Sequence, residues 1–272
     1  MSDERIYKED KHLYHKFMDE AGDTAFYGRG KTRILGTEGV SKCFILGMLK
    51  INEPLDVVRN KITDLQNKMT SDPYFAGIPN IEKKKNKSGY YLHAKDDIPE
   101  VRKLMYDLIK SIDCSFECFV ARKIYSIYEK THNGNESEFY SDLLSHLLKN
   151  KFRKYHTLVL NIATRKKCTT HSNLQFGLNK ALERANSKNP CGENNCKIVF
   201  NIQEPTKEPL LNITDYFCWA VQRVFEKGEI RYYDFISEKI SFIVDLYDKE
   251  KLNGSKNYYT KRNKLTKENQ VK

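Results

Sequence analysis

No run of apolar residues in this 272-residue chain approaches the roughly 20 that a membrane-spanning helix needs. The opening Met1-Ser2-Asp3-Glu4-Arg5 is charged and lacks the apolar core of a secretory signal. Cysteine is sparse: seven residues, odd in number and irregularly spaced, which do not make a disulfide framework. These absences predict a cytoplasmic, reduced protein without a membrane partner. A Walker-type phosphate loop is missing, Gly28-x-Gly30 being too short to count, and there is no Ser-His-Asp or nucleophile-elbow pattern. Internal repeats are absent too. Hydrophobic residues reach only 39%, below the usual share, while aromatics reach 12%, so a core built on Phe and Tyr more than on Leu and Val is expected.

The chain does have positive charge. Its formal net charge is +11, and a net +6 of it falls after Asp248, where seven Lys and one Arg face two Glu. That polar, aromatic-poor stretch is expected not to pack. It divides the chain into one elaborated domain over 1–248 and a basic, flexible tail over 249–272. Smaller clusters lie at Lys83-Lys84-Lys85-Asn86-Lys87, from Lys149 to Lys154, and at Arg165-Lys166-Lys167. Any one such run is usually a solvated surface. Together with an acidic site they favour nucleic acid as partner, because basic surfaces steer polyanions inward.

The periodicity predicts an α/β or α+β domain with a mixed sheet. Strands are expected at His15 to Thr24, Lys42 to Leu49, Ser115 to Ile124, Thr157 to Thr164 (the strongest central-strand candidate) and Lys197 to Gln203. Helices are expected from Pro54 to Met69, Pro99 to Lys110, Glu136 to Lys151, Ser172 to Arg184 and Pro209 to Lys227, with a last helical segment over Ile230 to Leu246. Pro73, Gly77, Pro79 and Gly89 mark an exposed insertion over 71–90, the start of an inserted loop region near 71–95.

The chemistry candidates begin with Phe17-Met18-Asp19-Glu20-Ala21-Gly22-Asp23, three carboxylates at the end of a strand entering the core. Acids so placed are solvated, paired or bound to a cation. Strand parity sets Asp19 with Phe17 and Ala21, and Glu20 with Met18, so both cannot face one site unless the strand ends or bulges. Asp19 is the expected metal ligand and Glu20 a conditional second, while Asp23, after Gly22, fits a turn. Asp215, on the margin of the best apolar helix stripe, is the next candidate, although a first-turn acid is also favoured by the helix dipole alone. Glu204 is a further carboxylate at a strand end. His93, Lys95, Asp96 and Asp97 form a mixed cluster before a helix. One of its acids is expected as N-cap, and His93 or Lys95 as phosphate or leaving-group contact. Cys168-x2-His171 and Cys191-x4-Cys196 have tolerable zinc spacing, but a helical segment separates the pairs and neither has knuckle glycines, so structural zinc is not expected.

Three blocks resemble the domain-of-unknown-function 3800 family (DUF3800). Met18-Asp19-Glu20-Ala21-Gly22-Asp23-Thr24 looks like its opening D-E-[SA]-G-[DN] strand. Leu92-His93-Ala94-Lys95-Asp96-Asp97 with Pro99-Glu100-Val101-Arg102 is similar to its middle block. Leu210-Leu211-Asn212-Ile213-Thr214-Asp215-Tyr216 with Trp219-Ala220 and Arg223 looks like its L-Q-x-A-D helix. The resemblance spans Phe17 to about Tyr233. It implies a ribonuclease H-like fold, often found beside mobile-element or antiviral defence genes, in which the first strand and last core helix each give an acid to two divalent cations, Mg²⁺ or Mn²⁺. Carried over, Asp19 and Asp215 fill those positions. Many relatives have a third acid at the end of the central strand, where this chain has only Asn161 and Thr164, so either Glu20 or Glu204 substitutes or metal binding is weakened. The expectation is a two-metal nuclease (a hydrolase) acting on DNA or RNA. The alternatives are a non-catalytic nucleic-acid-binding or effector-partner protein on a degenerate nuclease fold, in a defence or mobile-element system, and a zinc-stabilised nucleic-acid reader.

Overall fold

A computed structural model describes residues 13–87, 89–152, 157–164, 170–188, 196–248 and 257–272. The elements follow in chain order: β1 (Leu13–Ala21), β2 (Cys43–Ile51), α1 (Leu55–Ser71), α2 (Pro79–Lys87), α3 (Pro99–Ser111), β3 (Cys114–Arg122), α4 (Tyr125–Thr131), α5 (Glu136–Leu148), β4 (Thr157–Ala163), α6 (His171–Lys188), β5 (Lys197–Gln203), α7 (Leu210–Lys227), α8 (Arg231–Ile236), β6 (Ile240–Asp245) and β7 (Tyr258–Tyr259). Among the described residues the strands form one mixed seven-stranded sheet in the order β5-β4-β1-β2-β3-β6-β7. β1, β2 and β3 make an antiparallel meander. β4 pairs parallel with β1 and β5 parallel with β4, while β6 runs parallel to β3 and β7 antiparallel to β6.

Alternation along the strands sends side chains to two cores. Phe17, Ala21, Ile45, Leu49, Phe116 and Cys118 meet α1, α3, α7 and α8 on one face. Met18, Phe44, Leu46, Met48, Phe119 and Ala121 meet α4, α5 and α6 on the other. Both cores lean on rings, as the composition predicts: Phe116 stacks on Phe217 at 4.7 Å, and Phe26 on Tyr128 at 3.8 Å. α7 is the main helix of the first core, its apolar residues from Leu210 to Phe225 buried. It ends at Gly228, whose φ of 65° is the left-handed cap that glycine adopts without strain.

Four expectations are corrected. Within 71–95 the chain is not all loop, because Pro79 starts α2 and Phe75 and Ile81 are buried. Pro at the first helical position sets φ and sacrifices no bond, so a residue read as a breaker is here an opener. Over 230–246 a helix stops at Ile236 and β6 follows, with Ile240 and Ile243 turned to one core and Phe242 and Val244 to the other. β4 is second from the edge, and the middle of the sheet is β2. The basic tail packs from residue 257 onward: β7 pairs with β6, and Tyr259, Leu265 and Asn269 are buried. Residues 249–256 lie outside the described residues, as do Arg165-Lys166-Lys167.

Part of the positive charge is internal. Lys16 and Lys151 both bond Glu117, Lys16 at 3.1 Å, on the α5 face of the sheet. Burial pulls the Lys151 ammonium down to about 8, partly opposed by Glu117. No helix of the described residues is long and apolar enough to cross a membrane.

Candidate functional site

Asp19 lies two residues before the end of β1, opposite Gly47 of β2. Paired residues share a face, and a Cβ on Gly47 would sit 2.5 Å from both Cys218 Sγ and Phe116 Cζ. Glycine at 47 is therefore what lets α7 close on the strand end, and it fixes Asp19 on the α7 face. The Cys218 thiol donates to the Asp19 carbonyl at 3.4 Å. Burial pushes that thiol well up, and the charges of Asp19 and Asp215, among others, add to the shift. Cys218 lies one turn after Asp215 on α7, so its sulfur links the Asp19 backbone to the helix that carries Asp215.

Pairing runs without a bulge through Ala21, so Glu20 stays in register with Leu46 and faces the side of Met18 and α5. The conditional second ligand is on the wrong face. Asp23 is turn chemistry: it accepts from Ser41 N–H and O–H, from Ala25 N–H and from Lys123. Glu204 follows the edge strand β5, is 57% exposed and pairs with Lys207 at 3.5 Å. Asn161, on β4, is buried and occupied by Asn201 and Gln203 amides at 2.9 and 3.2 Å, and it donates to the Lys16 carbonyl. This position holds a polar ladder in place of an acid.

Asp215 is partly buried on α7, its side chain 14% exposed. Asn212, one turn earlier on the same helix face, accepts from Leu92 N–H at 2.9 Å, and Asp215 Oδ2 accepts from Ala94 N–H at 2.7 Å. Two alternate amides of the 92–94 segment thus dock on one helix. Burial raises the Asp215 carboxyl above its ordinary range, opposed by His93 and the Ala94 N–H and reinforced by Asp97. His93 stands between two acids, Nε2 3.7 Å from Asp215 Oδ1 and Nδ1 3.1 Å from Asp96 Oδ2. The latter geometry makes no hydrogen bond. An imidazole so placed is close enough to exchange a proton with either side after a small rotation. Lys95 is exposed.

Asp97 is not a helix cap, because α3 begins after Ile98 without a side-chain cap and with Pro99 at its first position. Instead Asp97 Oδ2 takes His93 N–H at 2.7 Å and Tyr216 O–H at 2.6 Å, and Lys84 lies 3.5 Å away. Burial raises its carboxyl despite these partners. The His93–Asp97 turn is therefore pinned from below by α7 and from the side by α2. Sequence reasoning missed Asn212 and Tyr216 as its anchors. Their signal was polar atoms three residues before and one residue after Asp215 in a largely apolar helix.

The donor set can be tested against a divalent cation. Asp19 Oδ1 accepts from Glu20 N–H at 2.8 Å, and Asp215 Oδ2 from Ala94 N–H, which fixes each carboxylate by one oxygen. Among the described residues no group of three His, Cys, Asp or Glu is arranged to hold a metal. Mg²⁺ is ordinarily held by one or two carboxylates plus water and substrate phosphate, with no protein cage, so Asp19 and Asp215, as hard oxygen donors, match one such ion in ligand chemistry. They do not supply a second. Cys168 and Cys191, half of the zinc pattern, lie outside the described residues.

No family model and no curated protein matches the chain. Among solved structures, a faint likeness is to a chain of the E. coli MS115-1 HORMA:CdnC:Trip13 complex, at 10% identity and a TM-score of 0.13, covering 60% of this chain and 61% of that one. A likeness that low carries no argument.

Proposed function

We propose that this chain hydrolyses phosphodiester bonds of nucleic acid at Asp19 and Asp215, on a ribonuclease H-like sheet, with one Mg²⁺ or Mn²⁺ between the two acids. The observation that carries the reading is that two acids 196 residues apart in sequence are tied to one buried thiol: Cys218 donates to the Asp19 carbonyl on the first strand and lies one turn after Asp215 on α7. The mixed sheet and the basic surface agree with it. A divalent cation, when bound, neutralises phosphate charge and makes water a stronger nucleophile.

The chain's own residues do the rest. Asp19 is held by its strand and by the amide of Glu20, Asp215 by the amide of Ala94, so neither must reorganise to meet a ligand. His93, flanked by Asp96 and Asp215, is placed to give a proton to the leaving oxygen. The Asp97–Tyr216 bond holds the turn that carries it.

Labelled single-stranded and duplex DNA and RNA, incubated with Mn²⁺ or Mg²⁺, test the reading. Wild type should cut at least one substrate, and Asp19→Asn and Asp215→Asn should each slow cutting by roughly 100-fold or more, the scale of losing one transition-state charge contact. Equal cutting by Asp19→Asn refutes the assignment. The missing third ligand favours a second reading, a non-catalytic nucleic-acid-binding or effector-partner protein on the same fold. It predicts that wild type binds nucleic acid and cuts none.

A further inference from the structure

Five described arginines are half-buried, and four of them are matched to carboxylates: Arg59 to Glu208, Arg122 to Asp245 and Asp248, Arg184 to Asp142, and Arg223 to Glu229. Arg102 is different. Its guanidinium lies 4.8 Å from the centre of the Trp219 ring, its Nε donates to the Ala94 carbonyl at 2.7 Å, and its Nη1 reaches the Tyr232 hydroxyl at 3.4 Å. Among the described residues no carboxylate pairs with it. A half-buried guanidinium normally finds an acid, because its desolvation is otherwise uncompensated. Here aromatic faces and one carbonyl hold the fork in place while its charge stays unmatched.

Its position is the second observation. Ala94 joins the two groups directly: its N–H goes to Asp215 Oδ2, and its carbonyl receives Arg102. The cation therefore stands one peptide unit from the candidate acid, on the same short segment as His93. A planar, fixed guanidinium with free donors matches a phosphate by geometry as well as charge.

We propose that Arg102 binds a backbone phosphate of the nucleic acid, next to the phosphate presented to Asp19 and Asp215. This rests on the nucleic-acid reading above but not on cleavage. Arg102 positions the strand, Trp219 and Tyr232 hold Arg102, and Ala94 ties its location to that of Asp215.

Fluorescence anisotropy with a fluorescein-labelled single-stranded oligonucleotide, as DNA and as RNA, in EDTA over a salt series tests this without turnover. One lost phosphate contact flattens the dependence of log affinity on log salt by about 0.7 for a single strand, so the wild-type advantage over Arg102→Gln should shrink ~2.6-fold between about 50 and 200 mM salt. Arg102→Lys keeps the charge and loses the planar stack. It should melt earlier than wild type, as Arg102→Gln does, yet keep the wild-type salt slope. The proposal is overturned if Arg102→Gln keeps the wild-type slope, if both variants lose slope alike, or if wild type shows no salt-dependent binding to either strand. Adding Mn²⁺ afterwards separates the two readings. Binding that flattens in Arg102→Gln while wild type cuts nothing upholds Arg102 and removes the hydrolase. Cutting by wild type with an unchanged Arg102→Gln slope does the reverse.

Discussion

Asp215 carries two demands at once. It is the acceptor for a buried backbone N–H and, in the proposed site, the partner of Asp19, and burial raises its carboxyl. Two substitutions separate these demands. Asp215→Asn keeps an acceptor oxygen for Ala94 N–H and removes a desolvated charge, so its stability should equal or exceed that of wild type while activity falls. Asp215→Ala strands the amide and should cost about 1–3 kcal/mol in urea unfolding. If the Ala variant is as stable as wild type, the docking of the 92–94 segment on α7 is wrong. At this scale the sequence was half legible. Parity alone put Asp19 on one face and Glu20 on the other, and Gly22 marked Asp23 as turn chemistry. What parity cannot reveal is which acids are already occupied. Glu204 looked equivalent to Asp19 as an acid at a strand end, but the edge position of β5 leaves it in solvent beside Lys207. Asp97 looked like a cap, but Tyr216, more than a hundred residues on, claims it.

Between elements, the buried joint at Asp142 holds α4, α5, α6 and the residues after β6 together. The carboxylate of Asp142 accepts from Tyr247 at 2.8 Å and Arg184 at 2.6 Å, with His132 at 3.4 Å. Burial opposes its ionisation, but His132 and Tyr247 and the charges of Arg184 and His146 outweigh that and hold the carboxyl well below the usual carboxylate range. A depressed folded value gives stability that is fully present above the unfolded carboxylate value near about 3.9 and is lost as pH falls toward the folded one. Asp142→Asn should therefore be less stable than wild type by about 3 kcal/mol at neutral pH, with the gap narrowing as pH falls below about 4. Urea midpoints across that range measure it, and a gap that stays constant contradicts the account. Most elements were legible from apolar spacing. The exceptions share a cause, that a short apolar run has no period of its own. Ile240 to Val244 continues an apolar helix in sequence and becomes a strand only because β3 and β7 offer it partners.

For the whole molecule, the 47 Lys and Arg side chains overstate the free cations a ligand meets. Lys16 and Lys151 are spent on Glu117, and Lys84 on Asp97 and the Tyr91 ring at 4.6 Å, whereas the tail packs through Tyr259, Leu265 and Asn269 and leaves Lys261, Arg262, Lys264, Lys267 and Lys272 exposed. The charge a polyanion finds near the acids comes instead from particular groups, Arg102 foremost. Composition showed the sign of the partner but not the place, because place depends on which cations find carboxylates in the fold. The fold's long reach, strand end to α7, was legible only as two separate acids in apolar surroundings. Gly47, which lets α7 close on the strand end, carried no signal by itself.

The most direct test of the proposed site is Mn²⁺ titration followed by electron paramagnetic resonance, with a phosphorothioate oligonucleotide present to complete the coordination without turnover. One Mn²⁺ per chain, lost in both Asp19→Asn and Asp215→Asn and retained in Glu204→Gln, is the predicted result. Mn²⁺ binding that survives both Asp substitutions, or no binding in wild type, would contradict it.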